Sequence, residues 1–432
     1  VSRLWRAIAL GAMLAASAPA AAQEISPLEP PDTARYLQWG PLRVRPGLTI
    51  PTLGYDDNVY AIPNDSTLPK VGTYFIALAP RVEGLVLFGH RAFLTFDEKL
   101  EFYLYAPPKT SDPQLSKIDL NYFNQYGKAR LTVPFRRFGL YWDIGYDRTR
   151  DRPYDAQSLR PIRKTYPLGL GLITKFGWRT DSELGVFSNR YNAEEPDDPC
   201  AAPGATCLTV ADVNNRTESG VRWKARYLIF GRMRALLDLS QRKIDFDDAV
   251  VAAQRNGTEQ RQLAGLDFGL GGRIFGTFHV GHASFDLVSQ SQGDFNGVVA
   301  DIALGYNFGS SGSRLLLTGT RDVRYTIYDV SPLYVYTGGD LTLVKYFNRF
   351  IGMELSGGRA ALDFLSPDPA TGEFRRDDDT IGGAGVRFRI SENDLGRRVE
   401  YAFRYTRTVI QSTAPANNQN RGTIGFGVTV GY

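Results

Sequence analysis

Residues 133–142 read VPFRRFGLYW. Two arginines stand between two phenylalanines, a glycine follows, and the chain alternates on both sides. Cousins of this mark recur as LFGHRAFL (87–94), FGWRTDSEL (176–184), IFGRMRALL (229–237), IFGTFHV (274–280) and KYFNRFIG (345–352). Beyond the mark, Phe138, Leu140, Trp142, Ile144 and Tyr146 share one face. Gly139, Tyr141, Asp143, Gly145 and Asp147 take the other. That period of two is the pattern of a strand with one apolar face. The same period appears at 91–105, where Glu98 alone interrupts the apolar row Leu94, Phe96, Leu100, Phe102, Leu104, and at 424–432.

A soluble sandwich alternates too, so strand length and loop asymmetry must decide. The runs last about 10–15 residues, against about 5–6 in globular sheets and about 9–11 for a tilted membrane-spanning strand. About eighteen runs begin near residues 42, 73, 91, 119, 138, 164, 180, 212, 233, 260, 277, 294, 312, 331, 349, 374, 395 and 420. Tight aromatic-and-glycine connections alternate with longer polar ones at 51–72, 106–118, 149–163, 194–211, 246–259, 365–373 and 410–419; those near 290 and 327 are short. The pattern predicts an all-β fold, a transmembrane antiparallel β-barrel of about 18 strands over residues 42–432, with short periplasmic turns and long extracellular loops. The aromatics of the marks then form a girdle at the headgroups, and glycine permits the reversal.

Composition narrows the function classes. Three His, three Met and two Cys in 432 residues work against metal and histidine chemistry, and no catalytic residue, cofactor or metal is expected. VSRLWR followed by AIALGAMLAASAPA and Ala20-Ala21-Ala22 has the parts of a secretory signal peptide, so residues 1–22 are expected to be removed. Without Arg3 and Arg6 the formal charge falls from +4 to +2, which makes nucleic acid an unsuitable partner. Residues 23–41 form a short Pro-rich periplasmic arm, expected as a flexible tether, with a fold-back as partial plug the alternative. Cys200 and Cys207 share a polar loop, and an oxidising compartment favours a disulfide between them.

The other face of the strands carries charge. Arg222, Lys224, Arg226, Arg234, Asp238, Arg387, Arg389 and Arg404 fall on lumen positions by alternation. So many charges imply a wet interior rather than a packed core. Tyr432, on the apolar face of the last run, has the form of a signal to the barrel assembly machinery. The remaining expected partners are outer-membrane lipids and lipopolysaccharide.

LTIPTLGYDDNVYAIPN at 48–64, followed by TYFIALAP at 73–80, resembles the start of the outer-membrane β-barrel porin family that includes EpsL-like proteins of exopolysaccharide operons. The matching residues are Tyr55, Asp56, Asp57, Asn58 and Val59. The resemblance implies a Gram-negative outer-membrane barrel, with polysaccharide-export proteins as partners of some members, and no catalytic residues. Read physically, the two carboxylates and the amide could form a turn by Asx-type bonds, bind a divalent cation, or bridge to the lumen wall.

His282 and Ser284, in HVGHASFD (279–286), share a face. They resemble the His-x-Ser of outer-membrane phospholipase A, but Phe285-Asp286 stands where that enzyme has Asn-Gly, and the polarity of the row Val280, His282, Ser284, Asp286 places it in the lumen. Acidic runs at 194–198, 245–248 and 375–379 are expected as solvated outer-loop faces, with Ca²⁺ the alternative. The expected function is a porin-like channel for hydrophilic solutes that could serve exopolysaccharide export; a barrel without conductance and an outer-membrane hydrolase are the alternatives.

Overall fold

The computed structural model describes residues 28–431 apart from 35, 111, 113–114, 116–118, 151–160, 196–207, 271, 290–292, 310–311, 327–330, 368–371, 393–397 and 415–416. Residues 1–22, expected as a signal peptide, lie outside the described residues, as do Cys200, Cys207 and Tyr432.

A short strand β1 (Leu37–Trp39) precedes eighteen long ones. The first half holds β2 (Leu42–Asp56), β3 (Thr73–Phe88), β4 (Ala92–Tyr105), β5 (Tyr122–Pro134), β6 (Phe138–Thr149), β7 (Ile162–Phe176), β8 (Thr180–Glu194), β9 (Arg216–Phe230) and β10 (Met233–Phe246). The second holds β11 (Gly257–Leu270), β12 (Ile274–Leu287), β13 (Phe295–Phe308), β14 (Ser313–Tyr325), β15 (Leu333–Tyr346), β16 (Ile351–Pro367), β17 (Phe374–Glu392), β18 (Arg398–Ser412) and β19 (Gln419–Gly431). Two short helices, α1 (Val210–Asn214) and α2 (Ala249–Arg255), sit in the connections before β9 and β11. Each long strand pairs antiparallel with the next, and β19 pairs with β2 from Gly431↔Gly47 to Thr423↔Asp56. The sheet closes on itself and leaves no edge.

All eighteen expected runs are present, each starting within a few residues of its sequence estimate. The turns at one end, among them 89–91, 135–137, 177–179 and 231–232, are short. Gly89, Gly177 and Gly231 hold φ of 63°, 70° and 54° there, a region glycine enters without steric cost. Phe88, Phe138, Phe176, Trp178, Phe230 and Phe347 cluster at this end, each more than two-fifths exposed. This is the girdle expected from the FRRFG-like marks. Phe135 and Phe138 stack across one turn at 4.5 Å, and the Arg179 guanidinium lies 4.3 Å from the Trp178 ring.

Outward rows are apolar through the belt above that girdle. Leu140, Trp142, Ile144, Leu168 and Leu170 are each about half exposed, the reverse of a soluble core. Inward rows carry the charge.

The acidic run 375–379 departs from expectation. It lies within β17, not in a loop. Asp377 and Asp379 are buried inward, and Asp377 is gripped by Arg375 at 2.7 Å. Arg375 and Arg376 let the strand run on past the apolar belt, because Asp377 and Asp378 each find a guanidinium two residues away. In the run 245–248, Asp248 caps α2 by accepting from the Val250 and Val251 amides.

Candidate functional site

The lumen wall is a ladder of ion pairs, and cross-strand register explains it: residues opposite each other in neighbouring strands point to the same side. Arg222 of β9 meets Asp238 of β10, Nε to Oδ1 2.8 Å, and Lys224 approaches the same carboxylate at 3.9 Å. Arg226 reaches Asp181 of β8 at 2.6 Å. Arg234 stands opposite Asp267 in the β10–β11 register. Arg130 links Asp143 at 2.6 Å and Glu183 at 3.2 Å. Across the barrel, Arg387 binds Glu354 at 2.5 Å and also Glu400, while Arg404 joins Glu354 at 3.2 Å. Arg389 lies over the Tyr346 ring at 4.2 Å. All eight charged positions lie on the strand rows opposite the exposed apolar ones. Every carboxylate named in this ladder has a cation within 4 Å, or opposite it in register, and this is how charges are tolerated on a wall backed by lipid.

At the loop end the lumen is narrowed from two sides. On one side the connection 57–72 folds inward. Val59, Tyr60, Ala61 and Ile62 are almost fully buried against Phe75, Tyr103, Tyr105 and Tyr122, inward residues of β3–β5. Tyr103 and Tyr122 stack at 4.6 Å. Asn58 fixes this fold: its Nδ2 donates to the Ile62 carbonyl at 3.0 Å, and its Oδ1 accepts from the Ile62 amide at 2.9 Å. Ala61, a non-glycine residue at φ 54°, pays in backbone strain for the tight reversal.

The second side is the β14–β15 hairpin. β14 pairs with β13 only as far as Arg321↔Ala300, yet stays paired with β15 to Tyr325↔Leu333. By alternation Val323, Tyr325, Leu333 and Val335 continue an outward row. They are instead packed against Ile244, Phe246, Ala283, Phe285 and Leu287, inward residues of β10 and β12. Beyond Arg321, β14 has therefore parted from β13 and lies with its back against the inner face of β10–β13, while β15 stays paired with β16 from Tyr334 on. Tyr325 sits at its tip. Its ring lies 5.2 Å from Phe246 and 5.3 Å from Phe285, and its hydroxyl donates to the Arg255 carbonyl of α2 at 2.7 Å. Arg216 of β9 covers the ring at 5.1 Å.

At the turn end, the arm before the barrel folds back, which was the alternative to a free tether. Leu28 is buried with Tyr141 and Ile173, inward residues of β6 and β7. Glu29 lies 3.4 Å from Lys175. Thr33 accepts from Arg43 at 2.7 Å, and β1 pairs with the start of β2. Arg45 lies over Tyr36, whose phenol is pushed up by burial and by Glu83. The arm thus crosses the turn-end opening from β2 to β6–β7. Leu28, the first described residue, finds its pocket because Gly139 leaves room for it: a Cβ at Gly139 would stand 2.4 Å from Leu28.

The motif Tyr55, Asp56, Asp57, Asn58 has a structural role. Tyr55 faces outward against Tyr74, ring centroids 5.2 Å apart. Asp56 is fully buried at the seam where the last strand meets the first, and Arg421 of β19 donates Nε to both its oxygens at 2.9 and 3.0 Å. Its Oδ1 also accepts from the Asn58 amide at 3.1 Å, an Asx-type turn. Asp57 accepts from the Gly422 amide at 2.6 Å. Turn formation and a bridge to the lumen wall are both realised.

His282 and Ser284 correct an expectation. In the β11–β12 register they stand opposite Gln262 and Gln260, and they face outward, not into the lumen. Polarity misled here because β10–β13 turn polar on their outer face too as they near the loop end. The His282 ring bonds to Asn296 of β13 at 2.6 Å, and the Ser284 hydroxyl donates to Asp286 at 3.2 Å. Among the described residues the two do not bond to each other. No group of three or more His, Cys, Asp or Glu able to hold a metal ion is present among the described residues.

No family model and no curated protein matches the chain. Among solved structures, a BenF-like porin from Pseudomonas fluorescens Pf-5 aligns at 10% identity over 90% of this chain and 99% of that one, with a TM-score of 0.46. OccK9 (OpdG) of Pseudomonas aeruginosa aligns at 9% identity over 90% and 98%, with a TM-score of 0.48. OccAB4 of Acinetobacter baumannii gives 9%, 90%, 98% and 0.45. The barrel assignment rests on the strand pairing of this chain itself.

Proposed function

We propose that the chain is an outer-membrane channel, porin-like, for small hydrophilic solutes. The observation that carries this reading is the sorting of side chains in a closed barrel: apolar rows outward under an aromatic girdle, paired charges inward. Such a wall holds water, and a barrel of this strand number has room for it. A closed sheet with lipid-facing strands belongs in the outer membrane of a Gram-negative cell, with its short turns and folded-back arm in the periplasm and its longer connections outside. The reading is not enzymatic. Ser284 donates to Asp286 and not to His282, so the hydroxyl lacks the base a nucleophile needs.

Route for a secreted polysaccharide is a narrower reading. It rests on the resemblance around Asp56 alone, and those residues are used at the seam. A polymer would need both inward-folded elements of the outer mouth displaced, and export partners on the periplasmic side. A closed barrel without conductance is the second reading, favoured by those same elements. Planar-bilayer recording separates them. The channel reading expects discrete, steady ionic steps from the folded protein. Silence across the accessible voltage range, with folding verified by heat-modifiable migration, selects the closed barrel.

A further inference from the structure

The outer surface is not uniform around the barrel. On β12, β14 and β16 the outward row turns polar partway up: His282 follows Val280, Arg321 follows Gly319, and Arg359 follows Gly357. On β3 and β4 it stays apolar to the loop end, where Tyr74 is 68% and Leu104 47% exposed. A flat bilayer has one thickness, and the apolar band of such barrels is about 25 Å tall. A band matched to lipid at β12–β16 leaves the top of the β3–β4 face standing in headgroups and water.

Glu98 lies at the centre of that tall face. Ala92, Leu94 and Phe96 precede it on the outward row of β4, and Leu100, Phe102 and Leu104 follow. Gln125 of β5 donates Nε2 to its Oε1 at 2.7 Å. The carboxylate rests over Gly127, where a Cβ would meet Oε2 at 2.4 Å. Hydrocarbon offers this group no further donor, and a polar side chain at mid-depth on a lipid face is costly.

From these two features we infer that the β3–β5 face, centred on Glu98 and Gln125, is the contact surface for a second copy of this chain. A copy related by a two-fold axis along the membrane normal brings an equally tall apolar face to the same height, which no bilayer does. It also brings a second Gln125. That amide carries two N–H donors and gives one to its own Glu98. The other is placed to meet Glu98 of the facing copy, and the reverse holds, which is the self-complementarity of an isologous contact. The inference rests on the membrane reading of the barrel but not on conductance, since two silent barrels could pair as well.

Cysteine cross-linking in native membranes tests it, in a Cys200→Ser, Cys207→Ser background. Leu100→Cys is expected to give a covalent dimer on oxidation, and Leu341→Cys, on the opposite face, a monomer. Adding Glu98→Leu, or Gln125→Leu should the first not fold, is expected to abolish the Leu100→Cys dimer while heat-modifiable migration persists. A monomer at Leu100→Cys, equal dimer at both positions, or a dimer indifferent to both the Glu98 and the Gln125 change overturns the inference.

Discussion

Replacing residues 322–336 with a short Gly-Ser turn is expected to raise single-channel conductance several-fold. Residues 322–326 have left the wall, since β14 no longer pairs with β13 beyond Arg321, and of the replaced part of the returning strand only residues 334–336 stay paired with β16. Their apolar side chains fill the mouth against β10–β13 and α2 rather than holding the barrel closed. Barrel closure runs through β13–β14 pairing from Ser313 to Arg321 and through the remaining strands, so the belt survives the change. The narrower variant Tyr325→Ala is expected to act in the same direction with a smaller effect. It removes the ring shared by Phe246, Phe285 and Arg216, and the hydroxyl held by the Arg255 carbonyl. Unchanged conductance in the replaced variant, with heat-modifiable migration intact, would place the constriction elsewhere.

Asp56→Ala is expected to cost the most stability of any single seam substitution. Asp56 is fully buried and carries two kinds of contact, the ion pair to Arg421 and the turn to Asn58. Removing one partner of a buried pair leaves the other charge uncompensated, at about 3–5 kcal/mol. Arg421 keeps a quarter of its side chain exposed, so solvent recovers part of that and the lower end, about 3 kcal/mol, is expected. Urea unfolding in detergent, followed by tryptophan fluorescence, measures it. The Asp57→Ala variant is the control. Asp57 loses one backbone donor and no ion pair, and its midpoint is expected to move much less.

Strand number, strand order of inside and outside, and the girdle were legible because a period of two over long runs has one reading once the turns are short and aromatic. That the charged rows run opposite the exposed apolar ones was legible for the same reason. Elements that leave the wall were not. Val323, Tyr325, Leu333 and Val335 alternate as a lipid-facing row would. Only the early end of β13–β14 pairing turns them inward, and pairing extent is not written in alternation. The short connections near 290 and 327 were the visible trace of this departure. His282 and Ser284 were misplaced by reading polarity as a sign of the lumen, a rule that fails near the rim where both faces meet water. Leu28 looked like a residue of a free arm, because its pocket is assembled from Tyr141, Ile173 and the bare backbone of Gly139, which lie far along the chain.

The sorting of faces is the central claim, and adjacent residues of β5 test it most directly. Lys128 points into the lumen with 77% of its side chain exposed, while Ala129 points outward between Phe96 and Ile144. In intact outer membranes, and in the Cys200→Ser, Cys207→Ser background, Lys128→Cys is expected to react rapidly with a small charged thiol reagent. Ala129→Cys is expected to stay unreacted until detergent or denaturant is added. Equal rapid labelling of both would contradict the account, because it would mean that water, not lipid, covers the apolar face.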